Sequence, residues 1–111
     1  MRKRTYKLLE KPPTNTKEKL IGDIWFAKVP YHEKGNWYKP RPVLIYDYID
    51  NKYLCKKITT KPKGVPIELP KTHHTEMRQS YLTKYDIILE EDKFYFLVER
   101  NVDVEKYLKE I

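Results

Sequence analysis

Hydrophobic residues in this chain come in short runs that alternate with polar residues or are rich in β-branched and aromatic side chains. Such runs predict β-strands rather than helices. We expect strands at residues 24–29, 43–48, 53–58, 65–69, 79–82, 87–89 and 94–98. The fourth of these should lie at a sheet edge, because Pro66 cannot donate a hydrogen bond to a neighbouring strand.

Turn residues between these runs predict which strands pair. Residues 50–52 (Asp-Asn-Lys) form a tight turn, so the strands on either side of it should make a hairpin. Residues 90–93 should likewise join a second hairpin between residues 87–89 and 94–98. Residues 31–39 are interpreted as a loop.

The end of the chain has helical spacing. Asp103 is suited to cap a helix N-terminus, and four apolar residues recur every three or four positions after it. These residues are Val104, Tyr107, Leu108 and Ile111. Short strands followed by one helix predict a mostly β fold: a small, strongly bent antiparallel barrel with a C-terminal helix. An α+β arrangement such as a ferredoxin-like fold is disfavoured, because no helix separates the early strands.

The first 20 residues differ from the rest of the chain. They are basic, they lack apolar periodicity, and Pro12 and Pro13 interrupt any helix. We interpret residues 1–20 as a basic N-terminal arm, either mobile or packed on an edge, and residues 21–111 as one domain. A chain of 111 residues fits a single domain.

Positive charge is concentrated in the front of the chain. The formal net charge is +7, distributed as +6 over residues 1–40, +4 over 41–75 and −3 over 76–111. A basic front predicts a polyanionic partner, with nucleic acid the first candidate. The ten tyrosines and two tryptophans agree with this, because aromatic faces stack on unpaired bases. The alternative is that the lysines only maintain solubility and the rings belong to the core.

Cysteine and hydrophobic content point to the cytoplasm. Cys55 is the single cysteine, so an internal disulfide is impossible and a cysteine-based metal site is disfavoured. No stretch approaches the roughly 20 apolar residues of a membrane helix, and the start of the chain lacks the apolar region of a signal peptide. We therefore expect a cytoplasmic protein with no membrane association.

Three short motifs follow one another in the first half of the predicted domain. They are Gly-Asp-Ile-Trp at residues 22–25, Arg-Pro-Val-Leu-Ile at 41–45 and Ile-Thr-Thr at 58–60. Arg41 opens one predicted strand, and Thr59 and Thr60 close the next. On one rim of a small barrel, a permanent cation beside two hydroxyls would suit a phosphodiester. The alternatives are an exposed arginine at a strand start and β-branched residues at a strand end.

Other polar and aromatic residues extend this candidate site. His32 lies in the predicted loop before Arg41, and because an imidazole titrates near neutrality it is a candidate proton acceptor, or else a solvated loop histidine. The candidate nucleic-acid-binding residues are Thr60, Arg78, Ser80, Trp37, Tyr38, Lys39 and Lys61. No metal or other cofactor is expected, because His73 and His74 are adjacent and no paired cysteine or carboxylate spacing supports a site.

With these motifs, the chain resembles the PemK/MazF family of toxins from bacterial toxin–antitoxin systems. The resemblance covers residues 21–111 and includes a weaker match at residues 78–82. It implies an SH3-like barrel with a C-terminal helix, and a homodimer that binds single-stranded RNA in a groove. It also implies metal-independent cleavage to a 2′,3′-cyclic phosphate and a 5′-hydroxyl, with an antitoxin that blocks the groove. Arg41 and Thr59 then become catalytic candidates, together with His32.

The sequence departs from the family pattern at two places. Many members carry a Gly-Ser-Glu-Gln-type loop where this chain has residues 32–39, so their cleavage specificity does not transfer. Ser80 stands where some members have an acidic residue. Two alternative functions therefore stay open: a non-catalytic RNA-binding module, and an adaptor for an acidic peptide.

Overall fold

One antiparallel sheet of six strands dominates the computed structural model, which describes residues 17–30, 38–70 and 79–111. The strands are β1 (Ile24–Pro30), β2 (Tyr38–Ile49), β3 (Lys52–Thr59), β4 (Val65–Ile67), β5 (Ser80–Leu89) and β6 (Phe94–Glu99). A 3₁₀ turn spans Glu91–Lys93 and helix α1 spans Val104–Glu110. The predicted mostly β fold with a C-terminal helix is confirmed. The strand order β4-β5-β3-β2-β1-β6 places β4 at an edge, as Pro66 predicted; closure into a barrel stays a prediction.

Both faces of the sheet carry buried apolar side chains. Successive residues of a strand point to opposite sides of the sheet, so neighbours in sequence belong to different cores. Trp25 and Ala27 belong to one core, and Ile24 and Phe26 belong to the other. The first core comprises Trp25, Ala27, Val29, Val43, Ile45, Tyr53, Cys55, Ile87, Leu89 and Leu97. The second core comprises Ile24, Phe26, Leu44, Ile58, Ile67, Leu82 and Val98. Each face therefore has its own packing layer.

Helix α1 covers part of the second core. The Asp103 carboxylate accepts a hydrogen bond from the Lys106 amide at 3.1 Å, which confirms the predicted N-cap. Val104, Tyr107 and Ile111 pack against the second core. Leu108 was wrongly assigned to this face and is 36% exposed, because it lies about 100° around the helix from Tyr107. Within the described ranges, no helix is long and apolar enough to cross a membrane.

The predicted hairpin between residues 87–89 and 94–98 is wrong. The two predicted strands at 79–82 and 87–89 are parts of a single strand, β5, which pairs with β3 on one side and β4 on the other. β3 pairs along one edge of β5 from Tyr81 to Leu89, whereas β4 covers only Ser80–Leu82 of the other edge. Instead β6 pairs with β1, where Trp25 faces Leu97 and Phe26 faces Phe96.

The Gly-Asp motif forms hydrogen bonds with the segment before it, with β1 and with the segment after β6. Asp23 is fully buried and accepts hydrogen bonds from the Trp25 indole at 3.0 Å and the Leu20 amide at 2.8 Å. Arg100 donates to both carboxylate oxygens, at 3.0 and 3.1 Å. Gly22 has a φ of +97° and accepts a hydrogen bond from the Val102 amide. Asp23 is thus a structural residue, although it belongs to a motif that carries the family resemblance.

The described end of the predicted arm, residues 17–20, contacts the sheet. The Lys19 ammonium lies 4.8 Å from the centre of the Trp25 ring and 5.4 Å from that of Phe94. It also pairs with Glu91 at 3.0 Å, which holds the pKa of that carboxyl below its usual value. The remainder of the predicted arm, residues 1–16, lies outside the described residues.

Cys55 should be unreactive in the folded protein. Its side chain is in the first core, and burial raises the pKa of the thiol to about 12. Because the thiolate is the reactive form, we expect an aromatic disulfide reagent at pH 8 to label Cys55 at least about 100-fold more slowly in buffer than in urea. Rapid labelling without urea would contradict this burial. The free thiol of a short peptide serves as the reference for full reactivity.

Candidate functional site

A groove opens where β2 and β3 separate. Its cavity volume is about 70 Å³, and the residues that line it are Phe26, Pro40, Arg41, Pro42, Ile58, Thr59, Thr60, Leu69 and Ser80. The structure therefore brings together Arg41, Thr59, Thr60 and Ser80, four of the ten candidate site residues. They come from β2, the end of β3 and the start of β5.

Two prolines explain why the strands separate here. The pairing of β2 with β3 runs from the turn only as far as Val43, which faces Lys57. Before that point, Pro40 and Pro42 pair with β1 alone, opposite Lys28 and Phe26. A proline has no amide hydrogen to donate to a ladder. The ladder to β3 therefore ends, and the groove occupies the space between the two strands.

The floor of the groove is apolar and well supported. Ile58 is buried in the second core, and Leu69 packs against that core. The Phe26 ring stacks on Phe96, with ring centres 5.1 Å apart and planes 16° from parallel. A rigid apolar floor under a polar rim can hold a sugar or a base while the rim binds the charged part of a ligand.

Arg41 supplies an uncompensated positive charge to the rim. The residue is exposed, and its guanidinium donates one long hydrogen bond, 3.4 Å, to the Pro40 carbonyl. No ion pair joins it to an acidic residue in the described ranges 17–30, 38–70 and 79–111. Its planar set of donors therefore remains available for an anion such as phosphate.

Three hydroxyl groups line the groove together with Arg41. The Thr59 oxygen accepts a hydrogen bond from the Lys61 amide at 3.2 Å, so its own hydrogen is left to donate. Thr60 is exposed. Ser80 is only 6% exposed, yet its hydroxyl forms no hydrogen bond within the described part of the chain. A buried polar group without a partner is rare in folded proteins, and Ser80 is one of the residues that line the groove.

Three of the other candidate residues are described by the structure and lie outside the groove. Tyr38, Lys39 and Lys61 do not line the groove. Tyr38 and Lys39 belong to β2 rather than to a loop, because the strand pairs with β1 from its first residue. The ring of Tyr38 lies 4.7 Å from the Lys28 ammonium. Lys61 is exposed just after Thr60. The remaining candidates, His32, Trp37 and Arg78, lie outside the described residues.

The groove can bind and orient an anion, but its described lining contains no group that titrates near neutrality. The lining residues are aromatic, aliphatic, hydroxyl-bearing or guanidinium side chains. Within the described ranges, no cluster of three or more His, Cys, Asp or Glu residues could hold a metal ion. The arrangement therefore suits charge stabilisation and positioning, and a proton acceptor would have to be supplied from elsewhere.

Sequence reasoning missed the floor of the groove. The sequence indicates Phe26 and Leu69 only as strand residues and Ile58 as the apolar member of the Ile-Thr-Thr motif, and their apolar character is what any core position shows. The usable signal was the pair of prolines around Arg41, since two prolines in a central strand predict that pairing stops on one side.

Ser80 and Thr83 offer a matched test of the unpaired hydroxyl. Both are buried on β5, but the Thr83 hydroxyl donates to the Lys57 carbonyl at 3.0 Å and accepts from the Tyr85 amide at 3.2 Å. We expect Ser80→Ala to change the free energy of unfolding by less than about 0.5 kcal/mol, and Thr83→Ala to lower it by about 1–3 kcal/mol. Urea denaturation measures both. Equal losses would show that the Ser80 hydroxyl has a partner.

Comparison of the chain with protein-family models found no match, and comparison with curated proteins found no significant relative.

Proposed function

We propose that this protein is a metal-independent endoribonuclease that cleaves single-stranded RNA in the groove, as a cytoplasmic PemK/MazF-like toxin. One observation carries the proposal: the unpaired guanidinium of Arg41 and the hydroxyls of Thr59 and Ser80 line the same groove. The sequence motifs agree with it, since two of the three contribute residues to this groove. The basic front of the chain also favours a polyanionic substrate.

RNA can supply its own nucleophile. The 2′-hydroxyl attacks the adjacent phosphorus, forming the O2′–P bond as the P–O5′ bond breaks. The 2′-hydroxyl loses a proton, and the departing 5′-oxygen gains one. The products are a 2′,3′-cyclic phosphate and a 5′-hydroxyl, so the reaction needs no metal, oxidant or water.

Arg41 would stabilise the charge on the phosphoryl oxygens. A guanidinium binds two phosphate oxygens at once and keeps its charge throughout the reaction. For the same reason it is poorly suited to transfer protons. Thr59, Thr60 and Ser80 would donate hydrogen bonds to the same phosphate. Donors held in place before the reaction stabilise the developing charge without reorganising.

The apolar floor would hold the nucleotide in line for attack. The half-buried Leu69 would contact a sugar or base while Arg41 fixes the phosphate, with Phe26 and Ile58 buried behind it. Correct alignment of an internal nucleophile is itself a large part of the rate enhancement. We propose His32 as the proton acceptor, because an imidazole can accept a proton near neutral pH and His32 precedes Arg41 by nine residues in the sequence.

Cleavage in the presence of excess chelator tests the proposal. We expect mixed-sequence RNA to be cut under these conditions into fragments that end in a cyclic phosphate, identified by mass spectrometry. An oligonucleotide of the same sequence with 2′-O-methyl groups should stay intact, because it lacks the nucleophile. Inhibition by the chelator, or fragments with 5′-phosphates, would contradict the mechanism.

Two partners follow from the same proposal. The family resemblance implies a second copy of the chain, forming a homodimer, and an antitoxin whose segment occupies the groove. An acidic antitoxin segment would suit Arg41, which has no acidic partner in the described part of the chain. A neighbouring gene for a small protein with an acidic tail would support this assignment.

A second candidate function is RNA binding without cleavage. The observation that favours it is the groove's lack of a described lining residue that titrates near neutrality. Tight binding of RNA with no turnover of any sequence would establish this function instead.

A further inference from the structure

An exposed tyrosine flanked by two lysines lies close to the groove. Tyr85 on β5 is 49% exposed. The Lys57 ammonium is 6.0 Å from the centre of its ring, and the Lys63 ammonium is 5.9 Å from it. We call these three residues the basic aromatic platform. None of them lines the groove.

The platform carries net positive charge. Neither Lys57 nor Lys63 forms an ion pair with an acidic residue in the described ranges. The adjacent Lys56 behaves differently, because it pairs with Asp86 at 2.7 Å. That pair holds the pKa of the Asp86 carboxyl below its usual value. The two platform charges, in contrast, are left for an external anion.

A short loop connects the platform to the groove. Residues 60–64 run from Thr60, on the rim, to Lys63, beside Tyr85. Gly64 holds the end of this loop against β5: its φ is +84°, and a Cβ atom there would lie 2.0 Å from the Leu82 carbonyl oxygen. The Lys63 amide donates to the Lys61 carbonyl at 2.7 Å. Three peptide units span at most about 10 Å, so the backbones of Thr60 and Lys63 lie within that distance of each other.

We propose that single-stranded RNA held in the groove continues onto the basic aromatic platform, where Tyr85 stacks on an unpaired base and Lys57 and Lys63 bind flanking phosphates. This inference rests on the proposed function and adds a second RNA-binding surface to it. An exposed aromatic ring beside free cations is the arrangement that binds single strands without reading their sequence.

Stacking on Tyr85 distinguishes RNA from an acidic peptide, the other polyanion that the two lysines could bind. An acidic peptide can neutralise Lys57 and Lys63, but it has no flat ring to cover the face of Tyr85. Base–aromatic stacking contributes about 1–3 kcal/mol per base. Loss of the Tyr85 ring should therefore weaken RNA binding by about tenfold, and leave the binding of an acidic peptide unchanged.

Binding of a 2′-O-methyl RNA of about twelve nucleotides tests the platform without cleavage. We expect Tyr85→Ala and Tyr85→Leu to raise the dissociation constant about tenfold, and Tyr85→Phe to change it less than about twofold. Tyr85→Leu keeps an apolar side chain on the strand, so it separates loss of the ring from loss of packing. Tyr95→Ala is the matched control, because Tyr95 is similarly exposed, at 53%, and no lysine of the described part lies over its ring.

Salt dependence tests the two lysines. Replacing both Lys57 and Lys63 with glutamine should reduce the slope of log affinity against log salt by about 0.7 for each lost phosphate contact. Lys52→Gln removes an exposed charge at the far end of β3 and should leave the slope unchanged.

The outcomes separate this inference from the proposed function. Equal affinities for Tyr85→Ala, Tyr95→Ala and the unaltered protein would overturn the platform, even if RNA is cleaved. Equal weakening of poly-glutamate and RNA binding by Tyr85→Ala would also overturn it. If Tyr85→Ala weakens RNA binding tenfold but the unaltered protein never cleaves unmodified RNA, the platform is supported and the nuclease function is contradicted. An unaltered protein that binds no RNA would overturn both.

Discussion

Replacing Arg41 with alanine is expected to lower the rate of RNA cleavage by about 100- to 1000-fold. The guanidinium has no acidic partner in the described part of the chain, so its positive charge is available for the phosphoryl oxygens. Its loss should act on the transition state, where negative charge accumulates. Single-turnover cleavage with excess enzyme measures the effect on the chemical step. Because Arg41 is exposed, the free energy of unfolding should change by less than about 0.5 kcal/mol.

Two variants control for charge alone. Arg41→Lys keeps the charge but loses the planar pair of donors, so it should retain more activity than Arg41→Ala and still be at least about tenfold slower than the unaltered protein. Lys52→Ala removes a charge at the other end of β3, about 23 Å along the strand from Thr59. The cleavage rate of this variant should stay within about twofold of the rate of the unaltered protein. Full activity of Arg41→Ala would refute the proposed role of this groove.

Replacing Asp23 with alanine is expected to lower the free energy of unfolding by about 3–5 kcal/mol. The carboxylate is fully buried, and its removal leaves three sets of donors without an acceptor, on Arg100, Trp25 and Leu20. Unfolding free energies of natural domains are about 5–15 kcal/mol, so this loss would make the fold marginal. Urea denaturation followed by tryptophan fluorescence measures it.

Asp103→Ala provides the comparison for Asp23→Ala. Asp103 also accepts a backbone hydrogen bond, but at the exposed start of α1. Its removal should lower the free energy of unfolding by about 1 kcal/mol, the usual value for an N-cap. A similar small loss for Asp23→Ala would mean that water or another residue replaces the carboxylate. Activity that falls in Asp23→Ala should recover at low temperature, because the defect is in folding.

The polar half of the groove could be found from the sequence, and the apolar half could not. Arg41 and Thr59 stand where predicted strands begin and end, and polar residues at such positions draw attention. Ile58 and Leu69 have the composition of ordinary core residues, and only the separation of β2 from β3 makes them part of the lining of a groove. Ser80 became informative only when its burial and its missing hydrogen-bond partner were known.

The pairing of β6 shows the same limit. Local patterns correctly predicted a strand near residues 94–98, and a turn just before it. They favoured β5 as the partner because β5 is the nearest strand in sequence. β6 pairs with β1 instead, where Phe96 stacks on Phe26, although β4 covers only the first three residues of the other edge of β5. The partner of a strand is a property of the whole sheet.

The sequence by itself determined the local elements of this protein: the strands, the hairpin at residues 50–52, and a capped C-terminal helix. These depend on alternation, turn residues and capping, which act over a few neighbouring positions. Tertiary structure alone decided the strand order, the burial of Asp23 against Arg100, and the meeting of Arg41, Thr59 and Ser80 at one groove. These features join residues that are far apart in the chain, and their energies arise only when the sheet has formed.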